Sequence, residues 1–228
     1  MDYTEAEKTI GITFNDKEFL TKAFTHRSYL NENKNVDMEH NERLEFLGDA
    51  VLELVATDYL YTTYPKKPEG DLTALRSALV NSVMLASIST ELEFNKYLLL
   101  SRGESKDMGR ARQYILANTF ESVVGAIYLD SGYEKAKEFI SRVLLPKTKE
   151  IEEKRLWIDA KSFFQEKAQE KTGVTPSYKT LKEHGPDHDK EFTVGLYLNE
   201  LLVAEGRGKS KQEAEQDAAR NGLEVRKW

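Results

Sequence analysis

Cysteine is absent from the 228 residues, which excludes disulfides and thiolate-bound metal and is compatible with a reducing cytoplasm. Long apolar runs are missing too. None approaches the roughly 20 residues that a membrane span needs, and the opening MDYTEAEKTI is acidic without an apolar core, so neither insertion nor export is expected. Histidine is scarce, with four in the chain. His26 and His40 have no metal-ligand spacing to one another and read as structural or surface residues. An excess of basic charge is also lacking. The net charge is −6, which argues against a general nucleic-acid binder unless basic residues gather in patches. No internal repeat or low-complexity tract occurs, and the length suits one or two domains.

What is present centres on residues 41–55, NERLEFLGDAVLELV. Placed on a helix at about 100° per residue, Glu42, Glu45, Asp49 and Glu53 fall within an arc of roughly 80°. Leu44, Leu47, Ala50, Val51, Leu54 and Val55 take the opposite side and predict a core face. An acid stripe on a surface helix is ordinarily a solvated face. Two residues disturb that reading. Phe46 lies on the acid side, and Gly48 sits mid-helix at a propensity cost of about 1 kcal/mol, so something approaches this face closely.

A second helix is predicted over Tyr114 to Leu129, apolar nearly all round and therefore central. Asn118 and Glu121 stand one turn apart on one of its faces. A lone ionised Glu in a buried helix is costly unless paired or bound to a cation. Two partners fit. One is a hard ion such as Mg²⁺ or Mn²⁺, shared with Glu42, Glu45 and Asp49. The other is a buried Arg such as Arg76.

Around these stretches the first two thirds read as helical. Asp16 is an N-cap for a short helix with Phe19, Leu20, Ala23 and Phe24 inside, after which THRSYLNENKN is expected as a polar loop. The acid-striped helix stops near Tyr64, ahead of Pro65 and Pro68. Glu69 to Asp71 opens a helix with Leu72, Leu75, Ala78, Leu79, Val83 and Ile88 in helical spacing, predicted to lie on the acid-striped helix. Residues 101–110, SRGESKDMGR, read as a loop. Residues 146–156 read as a charged helical tail running into a linker.

From Asp159 the order becomes helix, three strands, helix. Asp159 caps a helix with Phe163, Phe164 and Ala168 inward and Lys161 and Gln165 outward. Strands are expected over Ser177–Glu183, Glu191–Leu198 and Leu201–Glu205, with Asn199 and Glu200 in the last turn. Ser210 and Glu213 form a capping box that opens the final helix. From Asp159 to Trp228 there are 12 Lys and Arg against 13 Asp and Glu, so any anion site here is local. Arg207, Lys209 and Lys211 gather at the start of the last helix, where free N–H groups and the dipole favour a phosphate.

Residues 41–54 closely resemble the signature of bacterial ribonuclease III. THRSY at Thr25 to Tyr29, EGDLTALRSALV at Glu69 to Val80 and ILANTFESVVGAIYLDSG at Ile115 to Gly132 follow in the family's order. The helix-strand-strand-strand-helix tail, its GPDH loop at Gly185 to His188 and the run GKSKQEAEQDAA resemble that family's C-terminal double-stranded-RNA-binding domain. The resemblance implies an all-α endonuclease domain over 1–147, a linker over 148–157 and an α+β domain of order α-β-β-β-α over 158–228. It implies Mg²⁺, with Mn²⁺ as a substitute, held by Glu42, Glu45, Asp49, Asn118 and Glu121, with Asp49 and Glu121 catalytic and Glu53 left as a solvated acid. Asn118 stands where many members carry Asp; an amide oxygen still ligates a hard cation but brings no charge. The EGDL segment lies beside the family's catalytic valley, which gives Glu69 a shaping role there. In the tail it implies duplex contacts by Gln165, Glu166, His188, Lys209 and Lys211, with Gln212 in place of a common Lys. It implies a homodimer with Phe46 in the interface and cleavage of double-stranded RNA to 5′-phosphate and 3′-hydroxyl ends. The setting implied is rRNA and mRNA processing in the cytoplasm, with no membrane and no nucleotide cofactor. Were Asn118 to silence the site, an RNA-binding factor with an inert nuclease scaffold would remain.

Overall fold

The computed structural model describes residues 3–106, 109–153, 157, 159–186 and 190–228. The chain divides into two compact units, Met1–Trp157 and Ile158–Trp228.

The first unit is helical: α1 (Thr4–Ile10), α2 (Lys17–Ala23), α3 (Arg27–Glu32), α4 (Glu42–Thr63), α5 (Glu69–Leu79), α6 (Ser82–Glu91), α7 (Arg110–Ser131), α8 (Tyr133–Val143) and α9 (Lys147–Glu153). Its axis is α7, in which Phe120, Val123, Val124, Ala126 and Ile127 are fully buried. Arg110 and Ala111 in its first turn, Tyr114 and Leu129 are exposed, and Asn118 and Glu121 are half-buried in its middle; most of the rest of this nearly all-apolar helix is enclosed as its pattern demands. Short helices are fixed by their caps. Asp16 accepts the Glu18 N–H at 2.9 Å, and Asp130 at the end of α7 accepts the Asp16 N–H at 2.8 Å.

Several expectations need correction. The THRSY stretch is not a loop: His26 Nδ1 accepts the Ser28 N–H at 3.3 Å and caps α3. The Leu72–Ile88 pattern is two helices, because the Asn81 side chain accepts the Met84 N–H at 2.9 Å and starts α6 anew. Along α4 the buried stripe is Leu44, Gly48, Val51, Leu52, Val55, Ala56 and Leu60. Leu54 is 56% exposed and Ala50 is exposed as well, since α4 turns its Gly48 side, rather than its Leu54 side, to the core. Glu53 is not simply solvated but pairs with Arg76 at 3.0 Å. Part of the stretch expected as linker is the helix α9, with Thr148 and Ile151 buried and Glu152 accepting the Tyr64 hydroxyl at 2.6 Å.

The second unit has α10 (Ala160–Thr172), β1 (Ser177–His184), β2 (Glu191–Leu198), β3 (Leu201–Gly208) and α11 (Lys211–Arg226). The strands form one antiparallel sheet in the order β1-β2-β3. Val194, Leu196 and Leu198 are buried, and the core gathers Leu196, Phe164, Ala168, Ala218 and Leu223 between the sheet and the two helices. Strand alternation sorts one face inward and the other outward. Asn199 holds φ 54° in the β2–β3 turn, a left-handed conformation that Asn tolerates better than most residues. The Ser210 hydroxyl accepts the Glu213 N–H at 3.1 Å. The Glu213 carboxylate returns to the N–H of Lys209 at 2.9 Å, one residue earlier than a standard capping box. Lys161 is not a free outward residue, because it pairs with Glu215 at 2.6 Å.

Candidate functional site

Two glycines decide how α4 meets α7. A Cβ added at Gly48 would lie 1.8 Å from the backbone oxygen of Glu121, and one at Gly125 would lie 2.2 Å from that of Leu44. The helix backbones therefore touch at a point where no side chain fits, which answers the helix-propensity cost of Gly48. Asn41 anchors the start of α4: it is 2% exposed, its amide donates to the Ala23 carbonyl at 3.2 Å, and its own carbonyl accepts the Ser122 hydroxyl at 3.3 Å. In the sequence Asn41 is only the residue that leads the acid stripe, and its side chain makes no cap hydrogen bond to α4. Its amide ties the α2 end to α4.

This crossing sets Glu121 beside the α4 acids. Burial raises the Glu121 carboxyl first, and the nearby charges of Asp49 and Glu45 add to it, so that it is pushed up to about 8. Glu45 is also raised, by burial and then by Glu42, while an amide hydrogen bond donated by Asn118 works against that rise. Three carboxylates and an amide thus share one neighbourhood, in which no Lys or Arg is among the groups acting on Glu121. Arg76 is engaged with Glu53 and, at 2.9 Å, with the Thr57 hydroxyl, so it does not neutralise Glu121.

Glu42 is placed at the margin. Its oxygens lie 3.4 Å from Arg27 and 3.8 Å from His40, and its charge is felt by Glu45. Glu69 accepts from the Thr73 hydroxyl at 3.0 Å and lines a cavity of about 270 Å³ with Thr57, Leu60, Tyr61, Leu72, Thr73 and Arg76. Phe46 is 81% exposed on α4, with Leu54 at 56% and Tyr61 at 74% along the same outer side.

The donor set fits a hard cation. All-oxygen ligands that repel one another and lack a basic partner gain most from a divalent ion. Among the described residues no three His, Cys, Asp or Glu side chains converge tightly enough to grip a bare ion.

In the second unit Gln165 and Glu166 are exposed on α10 and line a shallow groove with Ser162, Gln169 and Glu170. Lys209 is exposed just ahead of the α11 N-terminus. Lys211 pairs with Glu183 at 3.1 Å and lies 5.6 Å from the Phe192 ring centroid. His188 lies outside the described residues. Arg207 separates from the lysines: it stands opposite Thr193, in a row whose neighbours across the pleat are buried, so it points to the outer sheet face.

A family model described as "Ribonuclease-III-like" matches residues 16–148, and one described as "Double-stranded RNA binding motif" matches residues 160–226. Ribonuclease 3 of Carboxydothermus hydrogenoformans is 47% identical over 97% of this chain and 94% of its own length. Ribonuclease 3 of Streptococcus pneumoniae is 44% identical over 97% and 95%. Among solved structures, the nuclease domain of ribonuclease III from Campylobacter jejuni matches with a TM-score of 0.58 at 38% identity, covering 64% of this chain and 99% of that one. That structure is described as flexible in the region involved in dimer formation. Among the described residues no single helix is long and apolar enough to cross a membrane.

Proposed function

Because the chain belongs to the ribonuclease III family, with a double-stranded-RNA-binding motif behind its nuclease region, we propose that its acids on α4 and α7 form the centre of a divalent-metal-dependent endoribonuclease acting on double-stranded RNA. The observation that carries this is Glu121, half-buried beside Asp49 and Glu45, its carboxyl raised first by that burial and then by their charges. Mg²⁺ is the ion proposed, with Mn²⁺ able to replace it; when bound, such an ion supplies Lewis-acid polarisation of the phosphate and lowers the pKa of a bound water.

The chain's own residues hold and orient. Glu45, Asp49 and Glu121 would offer charged oxygens, and Asn118 would offer its amide oxygen, which its N–H bond to Glu45 leaves available. Glu42, 3.4 Å from Arg27, would serve from the margin of the site. Asp49 and Glu121, from different helices, would hold the ion jointly, and orientation of this kind is where rate is gained. The bond that breaks is between phosphorus and the 3′ oxygen, water supplies the new P–O bond, and the products carry 5′-phosphate and 3′-hydroxyl ends. Gln165 and Glu166 on α10 and His188 in the β1–β2 loop meet the minor grooves, while Lys209 and Lys211 meet the phosphates between them.

The same chain acts as a homodimer, so that two acid valleys serve the two strands. The exposed line of Phe46, Leu54 and Tyr61 supports this, because large apolar side chains aligned on one face mark an interaction surface. The setting proposed is rRNA and mRNA processing in the cytoplasm.

The test is a long RNA duplex incubated with and without Mg²⁺, beside Glu121→Gln. Cleavage by the parent with metal alone, and duplex binding without cleavage by the variant, is the expected result. Cleavage by the variant at the parent's rate overturns the site assignment.

A further inference from the structure

The outer face of the second unit's sheet is not used by the duplex contacts above. Register sets Lys182, Thr193 and Arg207 in one row across the strands, and Lys179, Gly195 and Glu205 in the next. Tyr197 and Leu202 face each other beyond them. Val194 and Leu196, the alternate residues of β2, are buried against the helices, so these rows point away from α10 and α11.

Two properties mark this face. Lys161, Lys167, Lys171, Lys190 and Lys211 are each ion-paired, whereas among the described residues no ion pair involves Lys179, Lys182 or Arg207, nor Arg220, Arg226 and Lys227 at the far end of the unit. In the two rows that hold Lys179, Lys182 and Arg207, Glu205 is the one acid, in a unit that carries 12 basic against 13 acidic residues. The second property is apolar. A Cβ at Gly195 would meet Tyr197 at 2.8 Å, Leu202 at 3.0 Å and Leu181 at 3.2 Å, so three side chains close over bare backbone. Leu181 and Leu202 nevertheless stay 38% and 42% exposed. The Lys179 amine lies 5.1 Å from the Tyr197 ring centroid, which keeps a cation at the edge of the apolar patch.

We propose that this sheet face binds a single-stranded RNA segment, at the same time as the helical side of the domain holds a duplex. An RNA duplex offers phosphates and groove edges but keeps its base faces stacked inside, and gives Tyr197, Leu181 and Leu202 nothing to cover. A single strand offers both: base faces for the ring and the leucines, phosphates for Lys179, Lys182 and Arg207. Such a segment is what flanks or closes a hairpin. The proposal rests on the reading that α10 and the start of α11 face the duplex, and that reading is measured separately below.

The experiment uses the full chain in metal-free buffer, where RNA is held without cleavage. Two labelled probes are titrated by fluorescence anisotropy, a blunt duplex and an oligo(U) of about 12 nucleotides, within the usual span of single-strand sites. The oligo(U) is titrated again with blunt duplex present at saturation. The parent is expected to bind oligo(U) in both conditions. Tyr197→Thr is expected to weaken oligo(U) by about fivefold or more, and Tyr197→Phe to restore it. Lys179→Gln/Lys182→Gln/Arg207→Gln is expected to lower the oligo(U) salt slope by about two, with blunt-duplex affinity unchanged in every variant. The proposal is overturned if the parent binds no oligo(U), if saturating duplex expels it, or if the variants bind oligo(U) as the parent does. Failure of the blunt duplex to bind the parent would instead sink the duplex reading of the helical side.

Discussion

Glu121 carries the site's electrostatic cost. Burial and two neighbouring carboxylates raise it to about 8, so the folded chain without metal favours its protonated form. A raised acid contributes stability that is fully present below its ordinary value and is lost as pH climbs through the folded value. The metal-free protein is therefore expected to melt progressively lower as pH rises from near 4.5 towards 8, while Glu121→Gln flattens that part of the curve. Scanning calorimetry in chelator checks this; a parent and variant with parallel curves would show that the group is not strained. Glu121 and Asn118 were legible because polar residues in an otherwise apolar helix demand a partner. Which partner was open from the residues themselves, and the structure decides against Arg76 by giving it to Glu53 and Thr57. The hydrogen bond from Asn118 to Glu45 could not be read from the sequence, since it depends on how two helices cross.

The crossing of α4 and α7 is the element on which the site depends. Gly48→Ala puts a methyl carbon 1.8 Å from a backbone oxygen, a neighbour that no rotamer change can remove. The helix-propensity gain of about 1 kcal/mol is outweighed by overpacking, typically 1–3 kcal/mol or more. Net destabilisation in urea is expected, with metal affinity falling alongside because Glu121 moves from Asp49; a stabilised variant with unchanged metal binding would contradict the tight crossing. Periodicity marked α4, but its phase was read from the leucines, and Leu54 proved exposed. The mid-helix glycine was the better guide to the buried side. Likewise the break at Asn81 was hidden inside a pattern that stayed apolar across it, because a cap is a local hydrogen bond and leaves the spacing of hydrophobic residues untouched. The strands were more legible, since alternation in Val194, Leu196 and Leu198 maps directly onto their burial.

At the scale of the whole molecule, an acidic chain grips a polyanion by sorting its charges rather than by excess. Lys209 at the α11 start and the cations of the sheet face are exposed, while carboxylates pair Lys161, Lys167 and Lys211. Phe46 tests the assembly. Removing a side chain that is 81% exposed costs an isolated chain little, so Phe46→Ser is expected to keep the monomer's fold while shifting it from dimer to monomer in light scattering. A variant that remains as dimeric as the parent would place the interface elsewhere.

The joint claim of α4 and α7 on one divalent ion is tested most directly by a double-mutant cycle read by Mn²⁺ titration calorimetry on Glu45→Gln, Glu121→Gln and the pair. Ligands of one shared centre are coupled, so the double variant should lose much less affinity than the two single losses added together. Losses that simply add would mean separate, independent sites, and would contradict a metal centre built across the two helices.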